Sequence, residues 1–215
     1  MKPSSQPILQ LGRLRTRCAL TLGALSLWLC LGVSPAAATT LNALDLPALS
    51  NTADRVLLGT VEKVVSHYLG EGSTYIVTDV TIRCDRELLG VPAGSRFVVR
   101  HLGGTVGELG QRVHGEASYR PGEQVLLFAS ERAGAYYAVG MAQGAMHVYR
   151  DPSGVARLDV QLGEGELIAP SGQPTTPSAS GRTLDEVVAQ VRGLLDARAA
   201  KAASPPASSS RGGQP

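Results

Sequence analysis

The stretch 74-TYIVTDVTIRCDRELL-89 decides the fold. Its side chains alternate: Ile76, Thr78, Val80, Ile82 and Cys84 share one face, and Tyr75, Asp79, Thr81 and Arg83 share the other. A period of two sustained over this length describes a strand with one buried face. Cys84 falls on the apolar side and reads as a buried hydrophobe rather than a reactive thiol.

Strands extend from it in both directions. Upstream, 55-RVLLGTVEKVVSHY-68 is rich in β-branched and apolar residues. Gly59 within that run predicts a bulge or sharp bend. Residues 69–73 (LGEGS) form the turn between the two strands. Downstream, 96-RFVVRHL-102 and 124-QVLLFAS-130 are strands entered through glycine- and proline-bearing turns. Residues 136–141 and 145–150 read as a hairpin, and 155–160 as a last short strand. Successive strands with no helix between them imply an antiparallel barrel or sandwich.

Helical signals lie only at the two ends of this region. Residues 41–54 read as a short helical lead-in. Leu41, Leu44 and Leu49 are placed to pack on the barrel, and Pro47 is expected to confine the helix to its first turn. Near the other end, Thr183 and Glu186 form a capping box. Leu184, Val187, Val188, Val191 and Leu195 follow at spacings of three, four and seven, which predicts an amphipathic helix over 182–200. Between barrel and helix, 169–181 is a linker by composition, and 201–215 is expected to be disordered.

The first 38 residues have the three parts of an export signal. Lys2, Arg13, Arg15 and Arg17 precede an uncharged run from Ala19 to Val33, and small residues at 36–38 supply a cleavage site after Ala38. The mature β-domain, residues 39–168, is then periplasmic or extracellular, with no membrane span left after cleavage. Four of the 20 basic residues lie in that signal and none of the 18 acidic ones do, so the formal +2 becomes about −2 once it is removed. Nucleic-acid binding loses its electrostatic support. Two of the three cysteines, Cys18 and Cys30, leave with the signal, so no internal disulfide is available to the mature chain.

Motifs of chemistry are sparse. His67, His101, His114 and His147 stand in separate elements with no metal-ligand spacing, and there is no G-x-S-x-G. No catalytic residue, metal or cofactor is assigned. The most unusual segment is 103-GGTVGELGQRVHG-115. It lacks the G-K-[ST] of a phosphate loop and opens no helix. It is either a binding loop held by the barrel or a long twisted or bulged connection. In the first case its contact residues are Glu108, Gln111, Arg112, His114 and Tyr119.

The order of these signals resembles a known family. Residues 53-ADRVLLGTV-61 are similar to the opening strand of a netrin-like or TIMP-like OB-fold domain. Residues 80-VTIRCDRELLG-90 resemble its second strand and exit, and 119-YRPGEQVLLF-128 the strand that follows. The whole also resembles a set of uncharacterised exported bacterial proteins that pair such a domain with a terminal T-L-x-E helix, here Thr183 to Glu186. The resemblance implies an OB-like barrel and, in its most specific form, a secreted protease as partner. TIMP-like inhibitors chelate the protease zinc through an N-terminal cysteine. The expected mature N-terminus is Thr39 and no cysteine precedes Cys84, so that mechanism does not carry over. The function expected is thus an exported, non-enzymatic binding module. The alternatives are a hydrolase or small-ligand carrier with a site assembled from scattered residues, or an envelope structural protein.

Overall fold

A computed structural model describes residues 39–163 and 165–203. The expected export signal, and residues 204–215 of the expected tail, lie outside the described residues. The chain is mainly β. Its largest sheet contains β2 (Arg55–Tyr68), β3 (Ile76–Leu89), β4 (Arg96–Leu102), β7 (Gln124–Arg132), β8 (Ala135–Ala138), β9 (Ala145–Arg150) and β10 (Ala156–Asp159). Two short strands, β5 (Gly104–Val106) and β6 (Leu109–Gln111), form a separate hairpin, and β1 (Thr39–Asn42) pairs with β11 (Gly165–Ile168).

The large sheet curls into a partly closed ring, β7-β2-β3-β4-β8 and back to β7. All neighbours in it are antiparallel except at the closure, where β4 meets β8 in parallel through one pair, Arg100 with Tyr137. The curl starts in β2, whose register against β3 shifts at Val56/Leu57, Leu58/Gly59 and Val61/Lys63. Such bulges raise the local twist and bend the strand, as a closing sheet requires. Gly59 is placed where a Cβ would lie 2.5 Å from Arg83 O and 2.6 Å from Ile82 Cγ2. Only a bare backbone lets β2 approach β3 this closely.

The strands expected at 136–141 and 145–150 do not pair with each other. Both lie antiparallel along the same edge of β7: β8 against 129–132 and β9 against 125–127. They behave as one strand broken by a 3₁₀ turn, Met141–Gly144. The break lets β8 bend in to close the ring while β9 flares out to meet β10.

Strand β7 therefore has two covered faces, which is why its sequence is continuously apolar rather than alternating. Val125, Leu127 and Ala129 point into the ring with Leu57, Val61, Val80, Ile82 and Val99. Leu126 and Phe128 point outward into a second core with Val56, Leu58, Met146 and Leu158. Two helices cover that outer core, α1 (Leu46–Thr52) and α2 (Leu184–Ala203). Leu184, Val187, Val188, Val191 and Leu195 are all buried in it, as their spacing predicts.

Three end-region expectations are corrected. Pro47 does not confine α1 to one turn. It occupies the first turn itself, where its missing N–H costs nothing, and the Asp45 side chain caps the helix by accepting from Ala48 N at 2.8 Å. The segment 169–181 is packed rather than free. It holds β12 (Pro174–Thr175) against β11, buries Ala179, and binds Leu158 O through Gly181 N at 2.8 Å. Residues 201–203, expected within the tail, continue α2.

The capping box at α2 forms only in half. Thr183 Oγ1 accepts from Glu186 N at 3.4 Å, while the Glu186 carboxylate turns to Arg182 at 2.6 Å. Arg198 ties the two helices together, donating to Ser50 O at 2.9 Å and Ala53 O at 2.7 Å. A cation on the last carbonyls of α1 also complements its dipole. Among the described residues, no helix is long and apolar enough to cross a membrane.

Candidate binding site

The glycine-rich segment is both a hairpin and a wall. Its base is locked to the sheet at three points. Gly103 N donates to Ile76 O at 2.8 Å, and Gln111 Oε1 accepts from Ile76 N at 2.8 Å. Thr78 Oγ1 donates to Gly103 O at 2.7 Å, so its contact with Ser66 Oγ at 2.8 Å is one in which Ser66 donates. This relay leaves no room at Gly104. A Cβ there would lie 2.3 Å from both Ser66 Oγ and Thr78 Oγ1, and φ is +135°. Glycine is used for close approach of backbone to side chain, not for a phosphate.

The five residues expected at this surface separate. Glu108 is exposed at the hairpin tip, next to Leu109, and His114 is exposed further on. Gln111 and Arg112 line an open cleft of about 290 Å³ together with His101, Glu116, Ser118 and Gln161. Tyr119 is not on the loop surface. It is 7% exposed and packs into the ring interior.

The cleft has a distinct electrostatic character. His101 Nδ1 stands 3.1 Å from Leu102 O and must donate to it, which leaves Nε2 as an acceptor in the neutral ring. Burial lowers the His101 pKa from its ordinary 6.5 and favours that neutral form. Burial also raises the Glu116 pKa above its ordinary 4.5, against opposing pulls from the Leu102 backbone and Arg132. Behind them the Tyr119 ring lies 5.8 Å from His101 and 6.0 Å from His147. Its hydroxyl has no hydrogen-bond partner, and burial raises its pKa further above the ordinary 10.

Leu102 and Glu116 form a ridge with a second cleft on its other side, about 320 Å³, walled by Arg132, Tyr137, Ala138 and Met141. The Arg132 guanidinium lies over the Tyr137 ring at 5.5 Å. Met141 holds φ +62°, a conformation that costs a non-glycine residue energy. The second cleft adjoins the thin parallel seam where β4 meets β8, with Leu102 from one strand and Tyr137 and Ala138 from the other.

His101 and Glu116 were missed from sequence. His101 had a readable signal, since it follows Phe97 and Val99 on the inward-facing side of β4. Glu116 stands in an irregular segment with no period, so nothing local marks it.

The nearest arrangement to a catalytic pair lies elsewhere, on the outer face of β2 to β4. Asp79 is gripped by both arms of Arg100, at 2.7 and 2.9 Å, and accepts from His67 Nε2 at 2.9 Å. His67 Nδ1 also donates, to Tyr68 O at 2.9 Å. Both nitrogens face acceptors, and the hydrogen bonds to the Tyr68 backbone and Asp79 raise the His67 pKa from its ordinary 6.5, which favours the protonated ring. In that form the ring has no lone pair to accept a proton from a substrate. Among the described residues, no three His, Cys, Asp or Glu side chains converge as metal ligands. Set against models of protein families, curated proteins and solved structures, the chain matches none of them.

Proposed function

We propose that this chain is an exported, non-enzymatic binding module built on an OB-like barrel, with a protein partner seated in the cleft beside residues 103–118. The observation that carries this reading is the convergence of Gln111 and Arg112, from the glycine-rich segment, with His101 from the ring and Glu116 from the irregular segment before β7. A rigid scaffold that presents polar groups from an anchored loop suits recognition. The ring order supports the OB-like part: in chain order, the fourth and fifth of its strands close it between the first and third. That is a Greek-key arrangement of five strands. The ring interior is filled by apolar side chains, so recognition falls to the outer clefts.

A secreted metalloprotease is the partner that the family resemblance suggests. Inhibition and direct binding should be measured against the secreted metalloproteases of the same source. Saturable binding weakened by Glu116→Ala supports the reading, and no binding to any of them overturns this choice of partner. A small-ligand carrier is a second reading, favoured by the desolvated Glu116 on the ridge of the more apolar cleft. It requires a co-purifying small molecule that Tyr137→Ala releases.

A further inference from the structure

His147 is a buried histidine that, among the described residues, has no hydrogen-bond partner in good geometry. It sits in β9 after Ala145 and Met146, is 5% exposed, and neither ring nitrogen has a hydrogen-bond partner. Nδ1 comes within 3.4 Å of Glu123 Oε2, outside hydrogen-bond geometry. A buried polar group left unpaired costs about 1–3 kcal/mol, so a side chain needed only to fill this space would be apolar.

The ring lines a cleft of about 300 Å³ and packs 6.0 Å from the Tyr119 ring. Asp159 lies directly across the β9–β10 ladder from it, and Glu123 and Tyr149 complete the wall. Glu123 is partly engaged by Arg120, whose backbone N donates to Oε2 at 3.0 Å and whose exposed guanidinium pairs with Oε1 at 3.4 Å. Burial lowers the His147 pKa from 6.5, with Arg120 acting the same way and Glu123 and Asp159 opposing. The neutral ring has one nitrogen able to accept a hydrogen bond.

Two carboxylates, an acceptor nitrogen and the exposed Tyr149 side chain call for a ligand that is positive and rich in N–H donors. An anion would meet two negative charges, and an apolar group would leave the imidazole unpaired. We propose that this cleft takes the cationic head of an alkylammonium or guanidinium ligand, either a free small molecule or a lysine or arginine side chain of a partner. This site centres on His147, shares only Gln161 with the loop cleft, and stands whether or not that cleft binds a protease.

The test uses the full chain with isotope-labelled histidine, followed by NMR of the imidazole resonances. Probes are butylammonium, butylguanidinium, the blocked amides of lysine and arginine, and 1-pentanol as a neutral control. Saturable shifts of the His147 ring with the cations and none with pentanol are expected, with about tenfold weaker binding in Asp159→Asn. Binding of the free amines alone assigns a small molecule, and binding of the blocked amino acids assigns a partner's side chain. His147→Phe, read by isothermal titration calorimetry because it lacks the reporting ring, should abolish binding. Should that variant fail to fold, the edge-strand variant Asp159→Asn still decides. No saturable shift with any cation, an equal response to pentanol, or undiminished binding in Asp159→Asn overturns the proposal.

Discussion

Replacing Gly104 with alanine tests how the candidate loop is held. The new Cβ would lie 2.3 Å from Ser66 Oγ and 2.3 Å from Thr78 Oγ1, at a backbone φ of +135°. Neither hydroxyl can move aside freely, because Thr78 is 1% exposed and its proton is committed to Gly103 O. Backbone strain at such a position costs about 1–3 kcal/mol. Breaking the relay and leaving a buried hydroxyl unpaired adds about 1–3 kcal/mol. The sum, about 2–6 kcal/mol, corresponds to a fall in Tm of roughly 4–24 °C for a domain of this size. Thermal melting followed by circular dichroism reads it. Gly107→Ala is the control: its φ is +59° but its Cβ meets nothing within 4 Å, so it should lose only about 1 kcal/mol. If Gly104→Ala melts no lower than Gly107→Ala, the hairpin base is not pinned as described.

Three further outcomes follow from the burial of single groups. Glu116→Gln should raise Tm at neutral pH. Glu116 has a folded pKa above its ordinary 4.5, so its carboxylate carries a cost above the folded pKa that vanishes below about pH 4.5. The gain should fade as pH is lowered through that window, and an equal gain at pH 4 and pH 7 would contradict the assignment. Tyr119→Phe removes a hydroxyl that has no partner, so stability measured by urea denaturation should stay within about 1 kcal/mol of the parent. A larger loss would reveal a hydrogen bond to that hydroxyl. Cys84 is fully buried with its Sγ donating to Val91 O at 3.2 Å, and burial raises its pKa. Iodoacetamide, detected by mass spectrometry, should label it in urea and not in the native protein.

The strands that build the ring were legible because each has one face or both faces committed to a core. The alternation in β3, the run in β7 and the glycine in β2 are direct consequences of that burial. The β8–β9 break was not legible, since two strands with a short connection read as a hairpin when the shared partner, β7, is far away in sequence. Pro47 was misread because a proline that stops a helix and one that starts it carry the same local signal, and only the Asp45 cap distinguishes them. In the site, Gln111 and Arg112 follow from the glycine-rich segment, while Tyr119 was placed by its neighbours in sequence and not by the inward turn of the chain. Glu116 and His147 matter through desolvation, which depends on elements far away in the sequence.

Hydrogen exchange of the full chain, with and without a bound secreted metalloprotease, tests the central claim most directly. The account predicts new protection at residues 101–118 and 161–163, around His101, Gln111, Arg112 and Glu116, with little change at the 151–155 turn. Protection confined to that turn or to α2, or no change near the cleft at saturating partner, would contradict it.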